Sequence, residues 1–252
     1  MDEYPDSAGG VAVVFFKTIA STNAEALARA NAGEKGPLWV AAERQSAGRG
    51  RRGREWFSEP GNLHASLLLI DPAPAAATAG ICFVAALALH DAVLDAAQGL
   101  APARLKLKWP NDLLLDGKKV AGILVEGSSL VQGRTAVGFG VNCRRHPQAA
   151  DFPATDFAAA GLAVPPGTLL KALGERCVTR LREWDRGRGF SAIRTAWLAR
   201  AAGLGGAIEV RLADRTIAGT FEAVDAAGGL VLKRSDGTRE TINAGDVFPI
   251  GG

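Results

Sequence analysis

The sequence predicts an α+β protein that ends in a small all-β domain. Two observations carry this. Up to about residue 201, strand-length apolar runs and helix-length stretches mix without regular β–α alternation. From residue 207 onward only short strands remain, separated by turns at Asp214-Arg215, Ala227-Gly228-Gly229 and Asp236-Gly237. This second tract reads as an SH3-like β-barrel. The glycine-rich stretch 203–206 is the junction, which sets a larger domain at 1–204 and a smaller one at 205–252.

Residues 11–16 are apolar and rich in β-formers, hence a strand. Thr22 to Glu25 reads as a capping box opening a helix to about residue 32. Strands follow at 38–42 and, after the Pro60-Gly61-Asn62 turn, at 63–69. Residues 75–97 form a long alanine-rich stretch that holds Gly80 and runs on into His90, Asp91 and Asp95, so it reads as a buried helix and not a membrane span. Residues 105–109 alternate, with Lys106 and Lys108 opposite Leu105, Leu107 and Trp109. A hairpin spans 113–125 and turns at Asp116-Gly117; a strand at 135–141 and helices at 168–184 and 190–201 follow. The β tract contributes strands at 208–212, 216–224, 230–234 and 240–242.

Composition narrows the class. With 48% hydrophobic and 22% charged residues, the chain is an ordered globular protein. Its net charge of +3 is low for a protein whose main task is gripping a polyanion over a broad face. Cys82, Cys143 and Cys177 are far apart and lack zinc spacing, so they read as reduced thiols in a cytoplasmic protein. The N-terminus, Met-Asp-Glu-Tyr-Pro-Asp, is acidic and unlike a signal peptide.

Residues 45–54, Gln-Ser-Ala-Gly-Arg-Gly-Arg-Arg-Gly-Arg, carry the strongest functional signal. Gly48, Gly50 and Gly53 let the backbone turn tightly and bring N–H groups to a ligand, while Arg49, Arg51, Arg52 and Arg54 add forked donors suited to phosphate. The spacing is neither that of a P-loop nor that of a dinucleotide fingerprint. Taken alone, the loop equally fits an Arg/Gly-rich nucleic-acid patch.

A second constellation runs Lys108-Trp-Pro-Asn111-Asp112 and continues through Gly117-Lys118-Lys119 to Gly122 and Glu126. Lys118 reads as a solvated turn lysine. Lys119, next to the apolar run 120–125, is either the same or a cation for an anionic ligand. Asn111 and Asp112 either cap the turn after Pro110 or face a ligand, and Gly122 inside a strand marks close approach.

Together these segments closely resemble the biotin–protein ligase family, which also has counterparts of Ser21-Thr22-Asn23 and of Gly138-Phe-Gly-Val-Asn142. The resemblance is strong over residues 13–145 and weaker in the C-terminal domain. It implies a catalytic domain like that of class II aminoacyl-tRNA synthetases. It also implies an enzyme that converts biotin and MgATP to biotinyl-5′-AMP, then passes biotin to a lysine of the carboxyl carrier protein of biotin-dependent carboxylases.

By the same resemblance, Lys119, Arg49 and Arg51 are the catalytic cations. Ser21, Thr22, Asn23, Gln45, Arg49, Gly50, Arg51, Lys119, Gly122 and Gly138 would bind biotin. ATP and the adenylate would meet Arg49, Gly50, Arg51, Arg52, Trp56, Asn111, Lys119 and Asn142. Asp112 would be either the base for the attacking lysine or the group that orients Lys119. Mg2+ would arrive with ATP, with no tightly bound metal. Only about ten residues precede the first strand, so neither a helix-turn-helix domain nor specific DNA binding is expected. The sequence leaves the oligomeric state open, a homodimer included. Two other functions fit less well. Lipoate or octanoate ligases of the same fold lack the Arg-Gly-Arg-Arg-Gly run. A nucleic-acid module would need more basic surface and more stacking rings than a chain with Tyr4 as its one tyrosine.

Overall fold

The computed structural model describes residues 4–250; residues 1–3, where the acidic N-terminus begins, and 251–252 lie outside the described part. The larger domain is built on β1 (Ser7–Ala8), β2 (Val11–Ile19), α1 (Thr22–Asn31), β3 (Leu38–Gln45), β4 (Leu63–Ile70), α2 (Ile81–Ala96), β5 (Leu105–Lys108), β6 (Asp112–Leu115), β7 (Lys118–Gly127), β8 (Arg134–Val141), α3 (Pro166–Trp184) and α4 (Phe190–Leu198). Its eight strands form one sheet in the order β1-β2-β3-β4-β8-β7-β6-β5. β2 and β3 pair in parallel across the α1 crossover, and every other neighbour is antiparallel.

The period-2 alternation of the strands divides the core. Leu38, Val40, Leu68 and Ala136 face α1 through Ala26 and Ala30. Trp39, Ala41, Leu67 and Val137 face the opposite way, into a larger core with α2, α3 and α4. The helix expected over 75–97 is a 3-10 turn, Ala75–Gly80, followed by α2. This stretch is long and apolar enough to cross a membrane, yet 72% of its most apolar window is buried within the protein.

One expectation is shifted. Ser21, not Thr22, is the N-cap of α1, and its side chain accepts from the Ala24 N–H. Glu25 therefore closes no capping box and pairs with Arg29 one turn on, at 2.8 Å. The shift places Thr22 and Asn23 in the first helical turn. The hairpin turn is as expected: Asp116 and Gly117 both have positive φ, at 49° and 76°.

The C-terminal strands are β9 (Ala207–Arg211), β10 (Thr216–Val224), β11 (Leu230–Lys233), β12 (Arg239–Ile242) and β13 (Asp246–Pro249). They form an antiparallel sheet in the order β12-β11-β10-β9-β13, consistent with an SH3-like domain. A bulge in β10 between Phe221 and Ala223 bends the sheet. The two outer strands do not pair, so the barrel is not closed by hydrogen bonds among the described residues. β13 is absent from the sequence reading because its two apolar residues sit between Asp246 and Pro249. The smaller domain docks firmly on the larger: Trp109 Nε1 donates to the Gly228 carbonyl at 3.0 Å, and Ile208, Val210 and Phe221 join the main core.

Candidate active site

A cleft of about 510 Å³ opens at the sheet between the start of α1, the Arg/Gly loop and the smaller domain. One end is a polar floor. Thr22 donates from its backbone N–H to Gln45 Oε1 at 2.8 Å, and Gln45 Nε2 donates to Ser58 Oγ at 3.1 Å. Ser66, the one hydroxyl of the apolar strand β4 and fully buried, lies 2.6 Å from Asn23 Oδ1 and 2.7 Å from Thr22 Oγ1. These buried groups satisfy one another, which fixes their orientation before any ligand arrives.

Glycines keep this floor low. At Gly138, a Cβ would lie 2.5 Å from Asn23 Oδ1. Gly122 and Gly140 are direct partners on β7 and β8. The Trp56 indole lies across them, at 3.0 Å from a Cβ built on Gly122 and 2.3 Å from one built on Gly140. At these strand glycines the close approach is made by side chains of the same chain. Trp56 Nε1 and Asn142 Oδ1 are buried without hydrogen-bond partners among the described residues, giving the cleft one uncommitted donor and one acceptor.

The middle of the cleft is cationic. β6 and β7 slip register between Leu113 and Leu114, so Leu114 faces Lys119 while Val120 enters the core. That bulge aims Lys119 into the cleft. Its Nζ lies 2.7 Å from Asp112 Oδ1 and 5.4 Å from the centre of the Trp56 ring. Lys108, whose Nζ is 3.2 Å from Asp112 Oδ2, is buried with that carboxylate, completes a triad with the partly exposed Lys119, and packs on the Phe152 ring at 4.5 Å. Burial raises the Asp112 pKa, but the two ammonium groups outweigh it and hold the carboxyl below its ordinary value. Burial pushes the Lys108 ammonium down despite Asp112. Lys118 is exposed, as expected for a turn lysine.

The arginines of the loop point to two anchors. Arg49 donates to Glu126 Oε1 from Nε and Nη2, each at 3.2 Å. Arg51, Arg52 and Arg54 converge on Asp246 of the smaller domain, at 4.0, 3.4 and 2.9 Å. Arg51 also donates to the Gly245 carbonyl at 3.2 Å and to Asn111 Oδ1 at 3.4 Å. Burial lowers its pKa, with Asp246 acting in the opposite direction.

The expected site residues therefore assemble in one cleft, with one exception. Ser21, Asn23 and Gln45 line its polar end; Arg49, Gly50, Arg51 and Lys119 its middle; Trp56, Asn111 and Asn142 its walls. Arg52, at a positive φ of 57°, does not line the cleft; it pairs with Asp246 at the cleft edge, at 3.4 Å. Sequence reasoning missed Ser66, Lys108, Phe152, Asp246 and Phe248. A lone serine in an apolar strand was a usable signal for the first. The two C-terminal residues had none. His64 and His90 lie outside the cleft; burial holds the His64 imidazole down near pKa 4, so it is neutral.

A cleft with a rigid neutral polar end and a ring of cations defines a class of protein that draws anionic reactants together. Comparison with known proteins gives the family. Residues 15–143 match the biotin/lipoate A/B protein ligase family, and residues 203–248 match the biotin protein ligase C-terminal domain. The chain is 46% identical to the biotin–[acetyl-CoA-carboxylase] ligase of Paracoccus denitrificans over 90% of this chain and 96% of that one. It is 32% identical to the ligase of the same name from Mycobacterium tuberculosis, over 90% and 85%. A biotin protein ligase from Aquifex aeolicus in complex with biotin and ATP superposes with a TM-score of 0.80 at 23% identity, covering 94% of this chain and 99% of that one. The chain belongs to the biotin/lipoate A/B protein ligase family, as a biotin–protein ligase.

Proposed function

We propose that this enzyme activates biotin with MgATP to biotinyl-5′-AMP and pyrophosphate, then transfers biotin to a lysine of a carboxyl carrier protein. One observation carries the reading. A hydrogen-bonded neutral floor lies beside Arg49, Arg51 and Lys119 in a single cleft. A fused-ring urea needs fixed donors and acceptors, and its carboxylate must meet a phosphate. Cations offset the repulsion between the two anions and the charge that develops as the carboxylate oxygen attacks the α-phosphorus.

In this reading Ser21, Thr22, Asn23 and Gln45 hold the ring, and Gly138 makes room for Asn23. Arg49, Gly50 and Arg51 flank the carboxylate and phosphate, and Lys119 spans the reacting atoms. Trp56, Asn111 and Asn142 face the nucleotide. Arg52 anchors the loop to Asp246. Asp112 orients Lys119. A carboxylate paired with two ammonium groups and held below its ordinary pKa is a poor proton acceptor for an incoming lysine.

Biotin-dependent exchange of pyrophosphate into ATP tests the assignment. Biotin should support it, and lipoate and octanoate should do so far less. Equal or greater exchange with lipoate would overturn the reading in favour of a lipoate ligase.

A further inference from the structure

Glu126 ends the motif that begins at Gly117, and it touches both halves of the cleft without lining it. Its Oε2 accepts from Asn23 Nδ2 at 2.7 Å, and its Oε1 accepts from Arg49. The second hydrogen of the Asn23 amide goes to the Leu124 carbonyl at 3.2 Å. A flipped amide would set its oxygen against a carboxylate and a carbonyl, so Glu126 dictates which way Asn23 faces. The same carboxylate begins a hydrogen-bonded chain through Asn23, Ser66, Thr22, Gln45 and Ser58 that ends on the Trp56 carbonyl. Arg49 and Trp56 bracket the Arg/Gly loop. The chain thus ties both ends of that loop to the polar floor.

We infer that Glu126 is a positioning residue that parks Arg49 at the cleft rim in the ligand-free enzyme, yields it to the substrate anion, and holds Asn23 in its ring-binding orientation. The Arg49–Glu126 pair suits such a handover. Its contacts are long, at 3.2 Å, and both side chains are partly exposed. A pair of that kind is weak and exchanges readily for a more highly charged phosphate. The inference rests on the biotin-ligase reading for what enters the cleft, while the parking of Arg49 stands on the ligand-free geometry.

Glu126→Gln and Glu126→Ala separate the two tasks. A glutamine oxygen still accepts from Asn23, but its NH2 group cannot accept from Arg49. The readout is amide exchange at Gly50 and Trp56, whose N–H groups donate to the Arg54 and Gly48 carbonyls. Both variants should exchange about fivefold faster than wild type without ligand, the scale of a partly exposed charged pair, and match it with biotin and MgATP. Glu126→Gln should add nothing in an Arg49→Ala background. In biotin-dependent pyrophosphate exchange, Glu126→Ala should raise the KM for biotin about tenfold with a smaller fall in kcat, and Glu126→Gln should stay within about twofold, as expected for loss of one hydrogen bond to a charged group. Unchanged ligand-free exchange in Glu126→Gln, an undiminished effect without Arg49, or equal KM changes in both variants would each overturn the inference. A wild-type enzyme that exchanges no pyrophosphate with biotin would instead sink the functional reading, and the ligand-free measurement would still decide the role of Glu126.

Discussion

Replacing Asp112 with asparagine removes the single negative charge between two ammonium groups, one 3.2 Å and the other 2.7 Å away. Lys119 retains some solvent, with 27% of its side chain exposed, whereas Lys108 keeps only 9%. The cost therefore falls on Lys108. Leaving a buried charge unpaired typically costs about 3–5 kcal/mol, and the low end applies because Lys108 keeps its contact with the Phe152 ring. For a chain of this size, about 3 kcal/mol corresponds to a fall in Tm of roughly 6–12 °C. The pH dependence has a definite sign. Asp112 is held below 3.8 in the folded protein, so its contribution is complete above the ordinary carboxylate range and is lost as pH falls through the lower folded value. The gap between wild type and Asp112→Asn should be flat at neutral pH and narrow under acid conditions. Thermal melts from pH 7 to pH 3, with Lys108→Met added to the variant, check this. The methionine keeps the packing against Phe152 without the charge, and it should restore most of the lost Tm. A Tm within 2 °C of wild type, or no rescue by Lys108→Met, would refute the argument that this carboxylate compensates a buried lysine.

Two further outcomes concern the cations. Lys119→Ala should slow adenylate formation by more than tenfold with the fold intact, since a charge-assisted contact made mainly in the transition state is worth about 2–4 kcal/mol; Lys118→Ala should be silent, and the reverse result would mean that the bulge in β7 aims a different lysine. Arg51→Gly removes a guanidinium that ties the loop to Asn111, Gly245 and Asp246, so biotinyl-AMP should leak and acylate a bystander lysine-rich protein. A variant that still makes adenylate yet labels the bystander no more than wild type does would exclude that role.

The sequence by itself determined most of the elements and most of the residues of the cleft. Alternation in residues 105–109 and the Asp116-Gly117 turn specify local backbone geometry, which depends on near neighbours. The Arg/Gly loop and Lys119 were legible because glycines among arginines, and lysine beside a buried strand, are chemically unusual in those settings. Tertiary structure alone decided what depends on distant partners. Ser21 took the cap that Thr22 was expected to hold, which placed Thr22 and Asn23 in the first turn, within hydrogen-bonding reach of Gln45 and Ser66. Asp112 became a counterion because Lys108, assigned by alternation to the polar face, is buried beneath Phe152 and Phe248. Arg52 is held outside the cleft lining by Asp246, 194 residues away in sequence, on a strand the pattern did not reveal. Periodicity reports which face a side chain occupies, but the charge that waits there is set by how the two domains dock.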